Sequence, residues 1–180
     1  MKVLVTGSAG HLGEAFVIRL RDRGAETVGL DLKQSEFTDV VGSICDRAIV
    51  ASAFNGVDAV IHTATLHKPH IVTHSKQDFV NTNVTDTLNL LERAVQTRVK
   101  SFVFTSSTSA FGHALKPVKE GPAIWVTEGL HAIPKNVCGI TKIAAENFCE
   151  LFYKKERLNC IVLRTSRYFP DEDDDAEVRN

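Results

Sequence analysis

Little in this chain points toward a membrane, a nucleic acid or an oxidising compartment. Its 180 residues contain no apolar stretch of spanning length and no leader pattern, so neither a membrane helix nor a signal peptide is expected. Charge of neither sign prevails: 21 Lys and Arg stand against 22 Asp and Glu. The cations are scattered, which argues against nucleic acid or an anionic membrane surface as a partner. Cys45, Cys138, Cys149 and Cys160 form no CxxC pair, so a reduced cytoplasm is the simplest location. Tyrosine is scarce, with only Tyr153 and Tyr168. No internal repeat stands out, and the one biased segment is the acidic run Pro170-Asp171-Glu172-Asp173-Asp174-Asp175, read as a solvated, mobile tail.

What the chain does have is enough apolar content, 43%, for one core. A domain of this size buries about 70% of its unfolded surface. A single domain over 1–169, followed by the acidic tail 170–180, is therefore expected.

The most informative stretch is Thr6-Gly7-Ser8-Ala9-Gly10-His11-Leu12-Gly13, which follows the apolar run Lys2-Val3-Leu4-Val5 and opens an amphipathic segment. Glycines at the seam of a strand and a helix suit a dinucleotide site, because a pyrophosphate needs backbone N–H groups aimed at it from a helix N-terminus. On this reading a side chain at Gly7 or Gly10 would hold the ligand away, and Gly13 lets the helix lie close on the first strand. The next strand ends in Asp31, whose carboxylate can accept both hydroxyls of an adenosine ribose and would repel a 2′-phosphate. NAD is favoured over NADP.

Periodicity predicts strands near 2–6, 26–31, 39–42, 58–63, 100–106 and 159–165, with helices near 11–23, 46–54, 75–97 and 135–156. Alternation of strongly apolar strands with helices implies an α/β fold: a Rossmann-type, doubly wound parallel sheet in three α/β/α layers. The loop 112–134, with Gly112, Pro117, Gly121, Pro122 and Pro134, is longer than a simple connector and is read as shaping a substrate site.

Further motifs follow in order: Gly42-Ser43-Ile44-Cys45-Asp46, His62-Thr63-Ala64, Asn83-Val84 with Thr87-Leu88-Asn89-Leu90-Leu91, Phe104-Thr105-Ser106-Ser107-Thr108-Ser109-Ala110-Phe111-Gly112, and Cys138-Gly139-Ile140-Thr141-Lys142. Together with the glycine loop they resemble the extended short-chain dehydrogenase/reductase family, the NAD-dependent sugar epimerases and dehydratases, over residues 1 to about 169. The resemblance implies that Gly7, Gly10, His11, Leu12 and Gly13 surround the pyrophosphate and that Asp31, with Leu32 beside it, holds the adenosine ribose. It implies that Ile44 packs on adenine, with Ser43 where the family usually has aspartate, and that Thr63 and Ala64 lie along the cofactor. Asn83 would support the active-site helix and the cofactor, Ser107 would steady the reacting oxygen, and Lys142 would hold the nicotinamide ribose. The substrate implied is a sugar or nucleotide sugar, and the pairing implied is a homodimer through helices 75–97 and 135–156.

Two departures stand out. Cys138 occupies the place of the family's catalytic tyrosine. A thiol near Lys142 and an oxidised nicotinamide is expected to ionise more easily than usual, yet it ends several bond lengths short of a phenol oxygen. Tyr153 lies about 22 Å farther along the helix at ~1.5 Å per residue, and Tyr168 matches no family position. The second departure is length, because the family's substrate lobe is built mainly after the sixth strand, where this chain stops; a short protein and a fragment both remain open. The sequence therefore supports impaired hydride-transfer chemistry, with Ser107, Cys138 and Lys142 as the catalytic set, or alternatively a non-catalytic NAD-binding sensor or scaffold. A thiol nucleophile at Cys138 is a further alternative. His67, His70 and His74 have helical spacing that could suggest zinc, but Pro69 interrupts them and no fourth ligand follows. No metal is expected, and the segment is read as a polar substrate loop, with His62 packing at the strand end.

Overall fold

Hydrophobic alternation places six parallel strands side by side: β1 (Lys2–Thr6), β2 (Glu26–Asp31), β3 (Val40–Val41), β4 (Ala59–His62), β5 (Ser101–Ser107) and β6 (Asn159–Thr165). The structure, a computed structural model, describes residues 1–116 and 124–166. The acidic tail, Tyr168 and the loop residues Pro117, Gly121 and Pro122 lie outside the described residues.

The sheet order is β3-β2-β1-β4-β5-β6, every pairing parallel. Val3, Leu4 and Val5 of the central β1 are at most 1% exposed, as expected for a strand covered on both faces. One face packs α2 (Arg47–Ala53), α4 (Asp86–Gln96) and α5 (Val137–Glu156) onto Leu4, Val60, Phe102 and Phe104. The other carries α1 (His11–Asp22), whose Val17 packs on Val3 and Val5. Cover is uneven there: Ile161 and Leu163 of β6 remain 51% and 38% exposed.

Expected and observed elements agree to within one or two residues, with one correction. The helix expected over 75–97 is a short α3 (Lys76–Val80), a π turn (Asn81–Thr85) and α4 in series. A π turn adds a residue to the helical repeat, and here it turns the Asn83 side chain inward.

The strand order reverses about β1: β2 and β3 lie on one side and β4 to β6 on the other. At such a switch point the crossovers leave in opposite directions and open a crevice beyond the strand ends. The loops after β1 and β4 flank it.

Candidate functional site

The glycine loop is held in this crevice by close backbone packing. Gly7 donates its N–H to Leu30 O at 2.8 Å and has φ +77°. A Cβ there would lie 2.6 Å from Ala64 N. The left-handed backbone and the β4 loop thus require glycine at residue 7 within the fold itself. Gly13 is needed because a Cβ would meet Gly7 O at 2.0 Å, so the close approach is to the loop rather than to β1 itself. Gly10 differs: a Cβ would meet only Gly7 O, at 3.4 Å, and otherwise points into open space. It caps α1 without a side-chain hydrogen bond, leaving the first-turn N–H groups of His11 and Leu12 without a protein acceptor among the described residues.

Asp31, at the end of β2, accepts Ala9 N–H on Oδ2 at 3.0 Å and Lys33 N–H on Oδ1 at 2.9 Å. Each carboxylate oxygen retains a lone pair for a hydroxyl. Leu32 beside it is 71% exposed. Thr63 and Ala64 both donate N–H to Thr6 O at 3.1 Å, bringing the β4 loop against the glycine loop. Ser43 turns inward on its own segment, its Oγ accepting Cys45 N–H at 3.2 Å, and Ile44 sits in the main core at 7% exposure. Ile44 therefore offers an adenine ring little more than its backbone and a side-chain edge. An uncapped helix N-terminus, open space at Gly10 and an adjacent carboxylate together fit a dinucleotide.

Asn83 ties this cradle to α5. Its Oδ1 accepts from Thr65 Oγ1 and Leu66 N, and its Nδ2 donates to Leu66 O and to Thr141 Oγ1, at 2.8–3.0 Å. The amide is fully used. Thr141 immediately precedes Lys142 on α5, so the β4 loop and the lysine-bearing helix are positioned by one side chain.

His62 joins β1 and β4 to the first turn of α4. Thr87 spends its one hydroxyl proton on Asn83 O at 2.9 Å, so His62 Nε2 must donate to Thr87 Oγ1 and His62 Nδ1 must accept from Thr6 Oγ1. Burial, reinforced by the Lys142 charge, holds its pKa down to about 3. Burial of Asp86, four residues from Leu90 on the packed face of α4, pushes that carboxyl up to about 6.

These two groups have opposite linkage. Between pH 6.5 and 3 the unfolded chain binds the extra proton at His62, so stability falls as pH drops; between pH 6 and 3.8 the folded chain binds the extra proton at Asp86, so stability rises. They cancel over the shared window. In Asp86→Asn that offset is removed and His62 is expected to contribute a loss of about 1.4 kcal/mol per pH unit on acidification, with His67 and His70, also held down by burial, adding in the same direction. Urea denaturation across that range checks it, and a flat profile in the variant would mean that His62 is not kept neutral.

Of the expected catalytic set, Ser107 ends β5 and its Oγ accepts Ser109 N–H at 3.1 Å. Asn136 caps α5 through Gly139 N–H at 2.9 Å, and Gly139 lets that helix lie on Ser109 O, which a Cβ would approach to 2.4 Å. Cys138 and Lys142 then fall one turn apart on the inner face of α5, 1% and 3% exposed. Lys142 Nζ donates to Thr105 O at 2.7 Å and stands 4.6 Å over the Phe104 ring, its pKa lowered to about 8 by burial. The Cys138 thiol is pushed up rather than down, because burial outweighs the Lys142 charge and the Ser109 hydrogen bond. The expectation of an easily ionised thiol is therefore corrected.

A polar cluster escaped the sequence reading. Glu146, one turn beyond Lys142, forms a bidentate pair with Arg164 of β6, at 2.7 Å to Nη2, and accepts a hydrogen bond from Ser106 Oγ. Arg164 also covers the Phe111 ring at 4.7 Å. The spacing of Glu146 from Lys142 was its one available signal. Tyr153 is 52% exposed farther along the helix. His67, His70 and His74 meet edge to face, ring centroids 4.4 and 5.3 Å apart, and Pro69 lies in a 3-10 turn (Lys68–Val72) rather than breaking an α-helix. Among the described residues no three His, Cys, Asp or Glu side chains are grouped as a metal ion would require. No helix among them is long and apolar enough to cross a membrane.

Comparison with known proteins agrees with this geometry. Residues 3–178 match the model of the NAD dependent epimerase/dehydratase family. The UDP-glucose 4-epimerase of Halalkalibacterium halodurans is 30% identical over 173 residues, covering 91% of this chain and 50% of that protein. A short-chain dehydrogenase/reductase superfamily protein from Agrobacterium tumefaciens, solved with bound NAD, superimposes with a TM-score of 0.86 at 29% identity, covering 99% of this chain and 54% of the other. The UDP-glucose 4-epimerase of Thermotoga maritima, solved with UDP-glucose, gives a TM-score of 0.78 at 26% identity, with 91% and 55% coverage. The chain thus spans about half the length of these relatives.

Proposed function

The chain belongs to the NAD dependent epimerase/dehydratase family, and from that premise we propose that it binds NAD across the ends of β1 and β4 and directs impaired hydride chemistry at a sugar or nucleotide-sugar hydroxyl. The observation that carries this reading is the Asp31 carboxylate bonded to Ala9 N–H, which sets a ribose acceptor beside the open N-terminus of α1. When bound, NAD supplies the hydride acceptor. His11, Leu12 and Gly13 would bind the pyrophosphate, Asp31 and Leu32 the adenosine ribose, and Ser43 and Ile44 the adenine edge. Thr63, Ala64, Asn83 and Lys142 would line the nicotinamide end, and Ser107 would orient the substrate oxygen. UDP-glucose in the Thermotoga maritima relative makes a nucleotide sugar the substrate to test.

The proton is the weak step. A buried, protonated thiol at Cys138 cannot approach a substrate oxygen as a phenol would, and this observation favours the second reading, a non-catalytic NAD-binding sensor or scaffold. We further propose a homodimer through the helical run 76–96 and α5, where Val80, Ile140 and Leu151 are 39%, 56% and 47% exposed. The unbonded cysteines suit a cytoplasmic location.

Calorimetric titration tests the cradle. NAD is expected to bind at micromolar concentration and NADP at least about tenfold more weakly, since a 2′-phosphate would face the Asp31 charge. Asp31→Asn is expected to close that gap. Equal affinity of the unaltered chain for both nucleotides would overturn the role of Asp31, and binding of neither would overturn the cofactor reading.

A further inference from the structure

One turn beyond Lys142, α5 carries a carboxylate. Lys142 and Glu146 are four residues apart on this helix, a spacing that puts side chains on one face with Cβ atoms about 5–6 Å apart. Both reach β5 at neighbouring residues: Lys142 Nζ donates to Thr105 O at 2.7 Å, and Glu146 accepts from Ser106 Oγ. Glu146 is also held from β6, where Arg164 Nε stands 3.1 and 3.2 Å from its two oxygens and Nη2 stands 2.7 Å from Oε2. With donors from two strands and 10% side-chain exposure, the carboxylate is fixed away from water.

Three charges of alternating sign therefore share this seam: Lys142, Glu146 and Arg164. A buried ion pair is a weak source of stability, because desolvation of both charges offsets their attraction. What the pair does for the third charge explains the arrangement better. At neutral pH the other titratable groups around the ammonium supply no negative charge. The Cys138 thiol, one turn before Lys142, is pushed up by burial, and Cys149 is 0% exposed in the core cluster. His62 shares the Phe104 ring with Lys142 and is kept neutral by burial, and burial also holds His67 below its usual range.

We propose that Glu146 is a positioning residue for Lys142: it keeps the ammonium charged and seated on β5 for the nicotinamide ribose, while Arg164 and Ser106 fix the carboxylate. The inference rests on the NAD site proposed above. It makes Arg164, which has no bond to Lys142, a second control on the lysine's charge. Loss of the Glu146 charge removes an attraction and disfavours the ammonium; loss of the Arg164 charge removes a repulsion, frees Glu146 and favours it. A residue that merely braced α5 on the sheet would give no such opposed pair.

The ε-carbon resonance of Lys142, followed with isotopically labelled lysine and assigned by its loss in Lys142→Arg, reads that charge without cofactor. Its titration midpoint, about 8 in the unaltered chain, is expected to fall in Glu146→Gln and to rise in Arg164→Gln. Glutamine keeps the size of Glu146 and can still accept from Ser106 Oγ, so a bracing role alone predicts an unmoved midpoint. Melts verify folding; where Glu146→Gln does not fold, the double variant Glu146→Gln/Arg164→Gln replaces it, with a midpoint expected below that of Arg164→Gln. An unchanged midpoint in the folded Glu146→Gln, or shifts of one sign in both single variants, would overturn the proposal. Glu146→Gln is also expected to bind NAD more weakly than the unaltered chain at about pH 8 and to recover at about pH 6, where Lys142 regains its proton. Equal affinity at the higher pH would overturn the service to the ribose. Failure of the unaltered chain to bind NAD would instead overturn the cofactor reading, and the midpoints, measured without NAD, would still decide the effect of Glu146 on Lys142.

Discussion

Gly13→Ala is expected to lower stability by about 2–3 kcal/mol and NAD affinity by more than about 100-fold. The added methyl would lie 2.0 Å from Gly7 O, 2.7 Å from Gly7 C and 2.9 Å from Ser8 Cα. All three are backbone atoms, so no rotamer change relieves the overlap. Either α1 lifts or the loop shifts, by more than 1 Å to regain a contact of about 3.4 Å, and N–H groups displaced that far no longer reach a pyrophosphate. Two other glycines separate the two effects. Gly24 has φ +75° with nothing within 4 Å of a Cβ, so Gly24→Ala should cost about 1 kcal/mol through backbone strain and leave NAD affinity unchanged. Gly10 has φ −90° and near-open space, so Gly10→Ala should be tolerated in folding while losing at least about tenfold in NAD affinity, because its methyl enters the cradle. Thermal melts and NAD titration of the three variants check this. Unchanged NAD affinity in both Gly10→Ala and Gly13→Ala would remove the loop from the cofactor site.

Much of this was legible because the carriers are local. Alternating apolar strands and helices, the glycine loop and the acidic end of β2 are patterns of neighbours in sequence, and the structure assembles them at one crevice. What was not legible depends on partners far apart in the chain. Gly7 is required in the fold by Ala64, 57 residues away, a contact its motif does not announce. The π turn has no sequence pattern of its own; it exists where Asn83 exchanges four hydrogen bonds with the β4 loop and Thr141. Glu146 and Arg164 became a pair only when β6 was laid beside β5. The ionisation of Cys138 was misjudged for a similar reason: sequence spacing reveals the nearby Lys142 charge, but not the burial that opposes it.

Cys138→Tyr is expected to raise the rate of NAD reduction by UDP-glucose by about 10²–10⁴-fold, the range a positioned acid–base group contributes. Three features of the site prepare the position for a phenol. α5 is anchored at its start by the Asn136 cap and by the close seat of Gly139 on Ser109 O, so the residue between them has a fixed backbone. Ser107, which presents a hydroxyl at the end of β5, is linked through Ser109 to that same turn. Lys142, one turn along, remains mostly protonated at pH 7 even with its pKa lowered to about 8, and its charge would favour the phenolate. A cysteine gains none of this, because its thiol ends inside the protein where ionisation is opposed. Cys138→Ser, which keeps the size and removes the thiol, is therefore expected to leave the low rate unchanged. The measurement is the absorbance of reduced nicotinamide after mixing each variant with NAD and UDP-glucose, alongside melts that verify folding. A tenfold or greater fall in Cys138→Ser would make the thiol itself the working group. If Cys138→Tyr folds and binds NAD but still transfers no hydride, the chain has lost more than its phenol, and the sensor or scaffold reading takes its place.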